Sequence, residues 1–503
     1  MKTNSFLADY GADQVDAKLE KLLRKRMKLP QRHRLLHAYP LLAGMPHVAR
    51  LQPELAAYLS AGTRFEPGTD KGLLVGVLPH PFCNPTVRRC GFCTFPHEKY
   101  RASNARRVVN AVISEIKKKS ATVPGLRERM VHGLYFGGGT ANLTPTDSLR
   151  NLAQTIEKSF DFQQAEVTLE GVPIYFLKRD KPMDALREEL NARHFRISMG
   201  IQTFNQKMLE RMGRQAFGSR ETIAQIVSYA HKANMTVSGD MLFNLPGQSL
   251  RAMQDDLSQA IDLGLDQICL YHLVLFHGLD TEWSRSPQLL SALPSNEKAC
   301  KNWIALRHKL LSAGYIQTTL TNFERKSVRQ SECRFSYENF SFRPNRFDMM
   351  GFGPSGISFY SNKKFTKGWK VTNVESASDY IRRIETGESP LDRFFAYNDH
   401  DLRVFYLMRR LAALGIQEHD YERQFGIPQV QDFSSQLEVL LNANLIQNCR
   451  NTYVPTPKGM FYADSIASLF AEECKSEKPG KQNTNRLVCQ DKQPEVSNMA
   501  GHM

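Results

Sequence analysis

The sequence lacks any run approaching the roughly twenty apolar residues that span a bilayer, so no membrane-spanning segment is expected. No secretory leader is expected: "MKTNSFLADYGADQVD" has no apolar core followed by a small-residue cleavage site, and nothing points to an oxidising, secreted compartment. A cytoplasmic location with reduced thiols is the expectation. Acidic residues are in deficit, 51 against 66 Lys and Arg, which leaves a formal net charge of +15 and a field that attracts anions. Part of the excess sits in "KLEKLLRKRMKLPQRHR", residues 18–34. Nucleic acid, an anionic membrane surface, an acidic partner and a polycarboxylate substrate all fit that charge, while a solvated helix face is the ordinary reading of any one basic run. The remaining composition, 41% hydrophobic and 23% charged, is that of a soluble globular protein. A chain of 503 residues suits two or three packed units and needs no disulfides for stability.

Residues 1–70 read as a basic N-terminal extension with a helix near 13–28, ended by Pro30. From Leu73 the pattern changes. The short apolar or β-branched runs "LLVGVL" (73–78), "GLYFGG" (133–138), "EVTLEG" (166–171), "RISMGI" (196–201), "VSGDMLF" (237–243) and "DQICLYHL" (266–273) alternate with helical patterns near 104–119, 147–159, 181–193, 219–233 and 249–263. Right-handed crossovers would wind such βα repeats into a parallel sheet or partial (β/α)6 barrel of the α/β class over residues 71–280. Chemistry in such folds collects in loops at the C-terminal ends of strands, and the marked positions here fall in those loops. Residues 281–397 continue the core less regularly and contain "MMGFGPSGISFY". Residues 398–472 read as a mostly helical, winged-helix-like C-terminal unit, and the polar tail 473–503 as disordered.

Three of the nine cysteines, Cys83, Cys90 and Cys93, fall within eleven positions after the first expected strand. Cys90-Gly-Phe-Cys93 is a C-x-x-C pair, which lets two thiolates from one tight turn converge on a metal centre. With Cys83 the count is three. A zinc site would need a fourth ligand from His80 or His97; a redox-active dithiol is the other alternative; an iron-sulfur cluster held by three cysteines would leave one iron open. The other six cysteines are scattered singly and read as structural.

The ordered set "HPFC…CGFCTF", "YFGGGTANLTP", "VTLEGVP", "ISMGIQTFNQKMLERMGRQ", "DMLFNLPGQS" and "LYHLVLFHG" resembles the radical S-adenosylmethionine (SAM) enzymes related to oxygen-independent coproporphyrinogen III dehydrogenase. The resemblance implies a 4Fe-4S cluster on Cys83, Cys90 and Cys93 whose open iron binds SAM, reductive SAM cleavage, and a low-potential electron donor such as flavodoxin or ferredoxin. It further implies SAM contacts at Gly137, Gly138, Gly139 and Thr140, where glycine lets backbone approach the ligand, and at Glu170, Gln202, Arg214 and Asp240. A second SAM beside the first is implied at Tyr271, Val274 and Ile316. Tyr271 and His272 are the candidates, by position, for proton transfer.

Three departures from the family pattern matter. Six residues separate Cys83 from Cys90 where the family has three, and Thr86 is not a cysteine. Val77 stands where many relatives have Tyr. The position two after the last cysteine, where the true dehydrogenases carry a further Cys, is Phe95; and the "HN-x-x-YW" of the haem-chaperone branch is not visible in "SYENFSFRPNRF". Elimination leaves the C-methyltransferase branch, acting on an sp² carbon of an aromatic or tetrapyrrole substrate. Coproporphyrinogen-type oxidative decarboxylation and haem carriage without turnover are the alternatives, and nucleic-acid modification is a more distant one.

Overall fold

The structure is a computed structural model that describes residues 16–31, 39–50, 71–83, 90–95, 98–123, 125–279 and 281–476. Helix α1, Ala17–Met27, is the first element among the described residues, capped by the Asp16 carboxylate. The start of the helix expected from residue 13, residues 32–34 of the basic stretch, His97, Thr86 and the tail from 477 lie outside the described residues.

Six parallel strands stand side by side in chain order: β1 (Gly72–Val77), β2 (Val131–Phe136), β3 (Glu166–Gly171), β4 (His194–Gln202), β5 (Thr236–Phe243) and β6 (Gln267–His272). Helices α2 (Ala102–Thr122), α3 (Thr146–Ser159), α4 (Pro182–Glu189), α5 (Arg220–Lys232) and α6 (Leu250–Asp262) connect them. This is the expected βα alternation, and the strands are largely buried as parallel strands covered by helices must be. The largest offset is at β2, expected over 133–138. Gly137 donates its N–H to Val77 O instead, and Gly138 turns into positive φ, so the chain leaves the sheet after Phe136.

The sheet extends past the barrel portion to twelve strands. Beyond β6, α7 (Asn296–Ser312) leads to β7 (Tyr315–Gln317) and β8 (Asn322–Arg325), with β8 antiparallel to β6. On the other side β9 (Phe347–Phe352) runs parallel to β1, followed by antiparallel β10 (Ile357–Ser361), β11 (Gly368–Asn373) and β12 (Leu391–Tyr397). "MMGFGPSGISFY" is therefore the β9–β10 hairpin. Gly353 in its turn has φ +90, and a Cβ there would collide with Leu78 O at the end of β1. Glu115 of α2 accepts from Gly353 N (2.9 Å) and Tyr380 Oη (2.6 Å), which fixes that turn.

The C-terminal unit holds α8 (Asp399–Ala412), α9 (Ser434–Asn442), α10 (Ala463–Ser476) and a small antiparallel sheet of Ile416–Gln417, Thr452–Pro455 and Ile446–Asn448. Helices plus a short sheet match the winged-helix-like expectation. α1 buries Leu19 and Leu23, and Ser465 Oγ of α10 donates to Gln31 Oε1 at 2.9 Å just beyond it. No helix among the described residues is long and apolar enough to cross a membrane.

Candidate functional site

The C-terminal ends of β1–β6 converge on one rim. Phe82–Cys83 pairs with Glu98–Lys99, and Cys93 N donates to Cys90 O at 3.0 Å, closing the C-x-x-C turn. None of Cys83, Cys90 and Cys93 is in a disulfide. Among the described residues no three His, Cys, Asp or Glu side chains gather closely enough to hold a metal ion, and residues 84–89 between the first two thiols are not among those described. His80, one candidate for a fourth zinc ligand, is fully buried, stacks on Phe82 with ring centroids 5.4 Å apart, and is held near pKa 4 by burial. It forms no metal-holding group with the thiols.

The glycine loop after β2 is built against the first cysteine. Thr140 N donates to Phe82 O at 3.0 Å and Thr140 Oγ1 lies 3.6 Å from Cys83 Sγ. A Cβ on Gly139 (φ +48) would stand 2.6 Å from Phe82 O and 3.0 Å from His80 O. Gly139→Ala is therefore expected to displace the backbone leading into Cys83. Because backbone cannot yield as a side chain can, the SAM affinity implied by the sequence resemblance should fall about tenfold or more while the melting point moves little. Equilibrium dialysis with SAM reads the first quantity; unchanged affinity would refute the packing argument.

Arg214 ties the second cysteine to the far side of the rim. Its Nη1 is 3.3 Å from Cys90 Sγ, its Nη2 donates to Gly200 O at 2.7 Å, and its plane covers Phe217 at 4.3 Å. The guanidinium is buried and its Nε has no partner among the described residues. A buried unsatisfied donor calls for an acceptor, and a carboxylate supplies one. Arg214 also lines a cavity of about 210 Å³ with Gly200, Thr203 and Phe217. Gln202 sits at φ +72, where the β4–β5 register shifts between Gly200 and Gln202.

Carboxyls line the other half. A Cβ on Gly137 would stand 3.0 Å from Glu170 Oε2, so the glycine leaves that carboxyl its room. Burial, then the Asp240 carboxylate, push Glu170 up to about 7, against a hydrogen bond from Tyr135. Burial raises Asp240 to about 6, with the Cys269 thiol and the Arg196 and Arg214 guanidiniums holding it down.

The remaining candidates separate. Tyr271 is 39% exposed at the rim end of β6, on the same strand face as Cys269. His272 points to the opposite face, where it packs against Phe243 and Phe461 (centroids 5.2 Å each) and meets Asn244 Nδ2 at 3.2 Å. Pleat alternation thus divides the two proton-transfer candidates. Val274 follows β6 at the rim. Ile316 does not belong there: it pairs with Glu324, which pairs with Gln267, so it lies two strands out at the start of β6, opposite the rim. The irregular sequence between 281 and 347 carried no period by which to place it.

What fills the barrel comes from outside the periodic part of the sequence. Residues 335–341 enter it: Ser336 N donates to Glu166 Oε2 at 2.9 Å, Phe335 lies 3.4 Å under the Arg196 guanidinium, and the Tyr337 ring is 5.2 Å from Tyr135. Gly133 makes space, since its Cβ would reach 3.3 Å from Tyr337 Cα. The segment brings in Glu338, pushed up to about 7 by burial against the opposing Arg196 and Arg409 charges. An acidic residue in the aromatic run "FSYENFSF" was its one available signal.

Residues 77–260 match the Radical SAM superfamily. The chain is 23% identical over 408 residues to the oxygen-independent coproporphyrinogen III oxidase of Synechocystis sp., covering 78% of this chain and 83% of that protein. It is 24% identical over 399 residues to haem chaperone HemW of Haemophilus influenzae (78% and 96% covered), and 32% identical over 196 residues to anaerobilin synthase of Escherichia coli O157:H7 (38% and 41% covered). The solved coproporphyrinogen III oxidase of Escherichia coli superposes with a TM-score of 0.67 at 19% identity, over 82% of this chain and 93% of that one, which establishes the shared fold. These relatives do not support the C-methyltransferase branch expected from Phe95; the oxidase and haem-chaperone readings fit them better.

Proposed function

We propose that this chain, of the radical SAM superfamily and similar to the coproporphyrinogen III oxidase and HemW group, cleaves SAM reductively and turns the resulting radical on a tetrapyrrole. The observation that carries the substrate class is that relatives with different named activities, an oxidase of coproporphyrinogen III, a haem chaperone and anaerobilin synthase, share tetrapyrrole chemistry in their names. Cys83, Cys90 and Cys93 would hold the cluster. Cys83, Cys90 and Cys93 supply the number of thiols that a 4Fe-4S centre with one open iron takes, and Arg214 Nε, without a partner among the described residues, suits the carboxylate of a SAM bound there. When bound, cluster and SAM supply a 5′-deoxyadenosyl radical for hydrogen abstraction.

The chain's own residues do the rest. Gly137 leaves room for Glu170 and Gly139 lets the loop pass close to Phe82; Arg214 orients the ligand's carboxylate; Glu170 and Asp240 accept from its ammonium and ribose hydroxyls. Residues 335–341 close the barrel from within and limit the water reaching the radical. A one-electron donor of flavodoxin or ferredoxin type completes the reading.

The deciding experiment is anaerobic incubation with reductant, SAM and either coproporphyrinogen or haem, scored for 5′-deoxyadenosine and for the change in the tetrapyrrole. Substrate-dependent deoxyadenosine supports an enzyme; haem binding without SAM cleavage would replace that reading by haem carriage. A second reading, methyl transfer from a second SAM, is favoured by Phe95, 53% exposed two residues after Cys93. S-adenosylhomocysteine and labelled methyl in the product would establish it.

The carboxyl pKa values give a sign. SAM is cationic at its sulfonium and ammonium, so it binds the ionised forms of Glu170 (about 7) and Asp240 (about 6). As pH falls through these values both groups gain a proton and lose that attraction. SAM affinity should weaken by up to about tenfold per pH unit below the first value and up to about a hundredfold per unit below both, and Glu170→Gln should remove the upper part of the slope. Calorimetric titration across this range checks it, and a flat profile would contradict the assignment.

A further inference from the structure

The first residue inside the C-x-x-C turn is glycine, and the neighbour that requires it is not a cluster ligand. A Cβ on Gly91 would collide with Nε1 and Cδ1 of Trp283. Trp283 N donates to Gly91 O at 2.9 Å, and Trp283 Nε1 donates to Arg211 O at 3.2 Å. Gly91 N in turn donates to Met212 O at 3.3 Å. The indole therefore locks two segments together: the turn that carries Cys90 and Cys93, and the 211–214 segment that carries Arg214 to Cys90 Sγ. Phe92 meets the same indole edge-on with centroids 6.1 Å apart.

Trp283 is 3% exposed within an apolar cluster separate from the main core, formed with Met212, Leu245, Leu273 and Leu275. Three of those five residues lie beyond β6, in the connection to α7, so this connection roofs the cysteine turn with hydrocarbon. An apolar shell governs how water reaches an iron-sulfur centre and hence its potential and its lifetime in oxygen.

We propose that Trp283 is a positioning residue for the Cys90–Cys93 turn and that its apolar roof excludes water and dioxygen from the cluster edge. The inference rests on the cluster reading above, and the two can fail separately. Anaerobically reconstituted wild-type protein lacking absorbance near about 400 nm would sink the cluster itself before any variant is compared. Given a cluster, Trp283→Leu keeps an apolar side chain but loses the indole's bulk and its bond to Arg211 O. It should bleach in air about tenfold faster and show a more positive midpoint potential, because water stabilises the more negative reduced state. Gly91→Ala, which pushes the indole away from the opposite side, should reproduce both changes and serves if Trp283→Leu does not fold. Melting of the iron-free proteins separates this from general destabilisation. A wild-type bleaching rate and potential in a variant that folds would overturn the proposal.

Discussion

Cys90→Ala is expected to remove the visible absorption of the reconstituted cluster and to reduce SAM cleavage to background, a loss of about a thousandfold or more, in a protein that still folds. Cys90 is held on several sides. Its turn is closed by the Cys93 N to Cys90 O bond, its neighbour Gly91 is held by Trp283 and Met212, and its sulfur faces Arg214 at 3.3 Å. Removing the sulfur leaves two thiols, too few for a site-differentiated cluster. Cys90 is half-buried and outside the apolar core, so its loss should cost little stability. Iron and sulfide content, visible absorption and deoxyadenosine yield are the measurements. A variant retaining both absorbance and cleavage would refute the ligand assignment. Cys269→Ala is the matching control: that thiol is buried between Ser238 and Asp240 inside the barrel, and the cluster should survive its loss.

Much of this site was legible in the sequence because local rules set it. Strands β3 and β5 carry apolar runs bounded by polar turns, and with period and length deciding, their expected limits fall within one residue of those seen. The glycines of "GGGT" mark backbone that must pass another chain closely, as Gly139 does at Phe82 O. Tyr271 lies at the rim end of β6, where chain order in a βα fold forecasts function, and Asp240 lies in the middle of β5, paired with Cys269. What was illegible depended on tertiary placement. Ile316 belongs to an antiparallel return strand, and only the pairing of β7 to β8 and β8 to β6 shows that it ends opposite the rim. His272 and Tyr271 are adjacent in sequence, and the pleat sends them to different faces. Glu338 and Trp283 reach the site from connections without a repeating period, so their places follow from long-range packing alone.

The largest stability effect is expected at the other end of β1. Asp348 is 2% exposed on β9, where it accepts from Lys71 Nζ at 2.7 Å and Arg129 Nη1 at 2.8 Å. Both cations are buried, and Lys71 is held below its ordinary pKa by burial, with the Asp348 carboxylate opposing that fall and Arg129 adding to it. Asp348→Ala would leave two like charges in low dielectric without their counter-ion. Breaking such a buried arrangement from one side costs about 3–5 kcal/mol, against about 0–1 kcal/mol for an exposed pair. The exposed Arg24–Glu20 pair on α1 is the natural comparison, and Arg24→Ala should barely move the urea midpoint. The large shift should come at an unchanged slope, since the surface exposed on unfolding is the same. Asp348 pairs with Leu73 at the start of β1, whereas the rim contact between Gly353 and Leu78 lies at the end of that strand pair. The residual folded fraction of Asp348→Ala should therefore cleave SAM at the wild-type rate per folded molecule. A midpoint within error of wild type would show that Lys71 and Arg129 find other partners, and that the triad does not anchor β9 to β1.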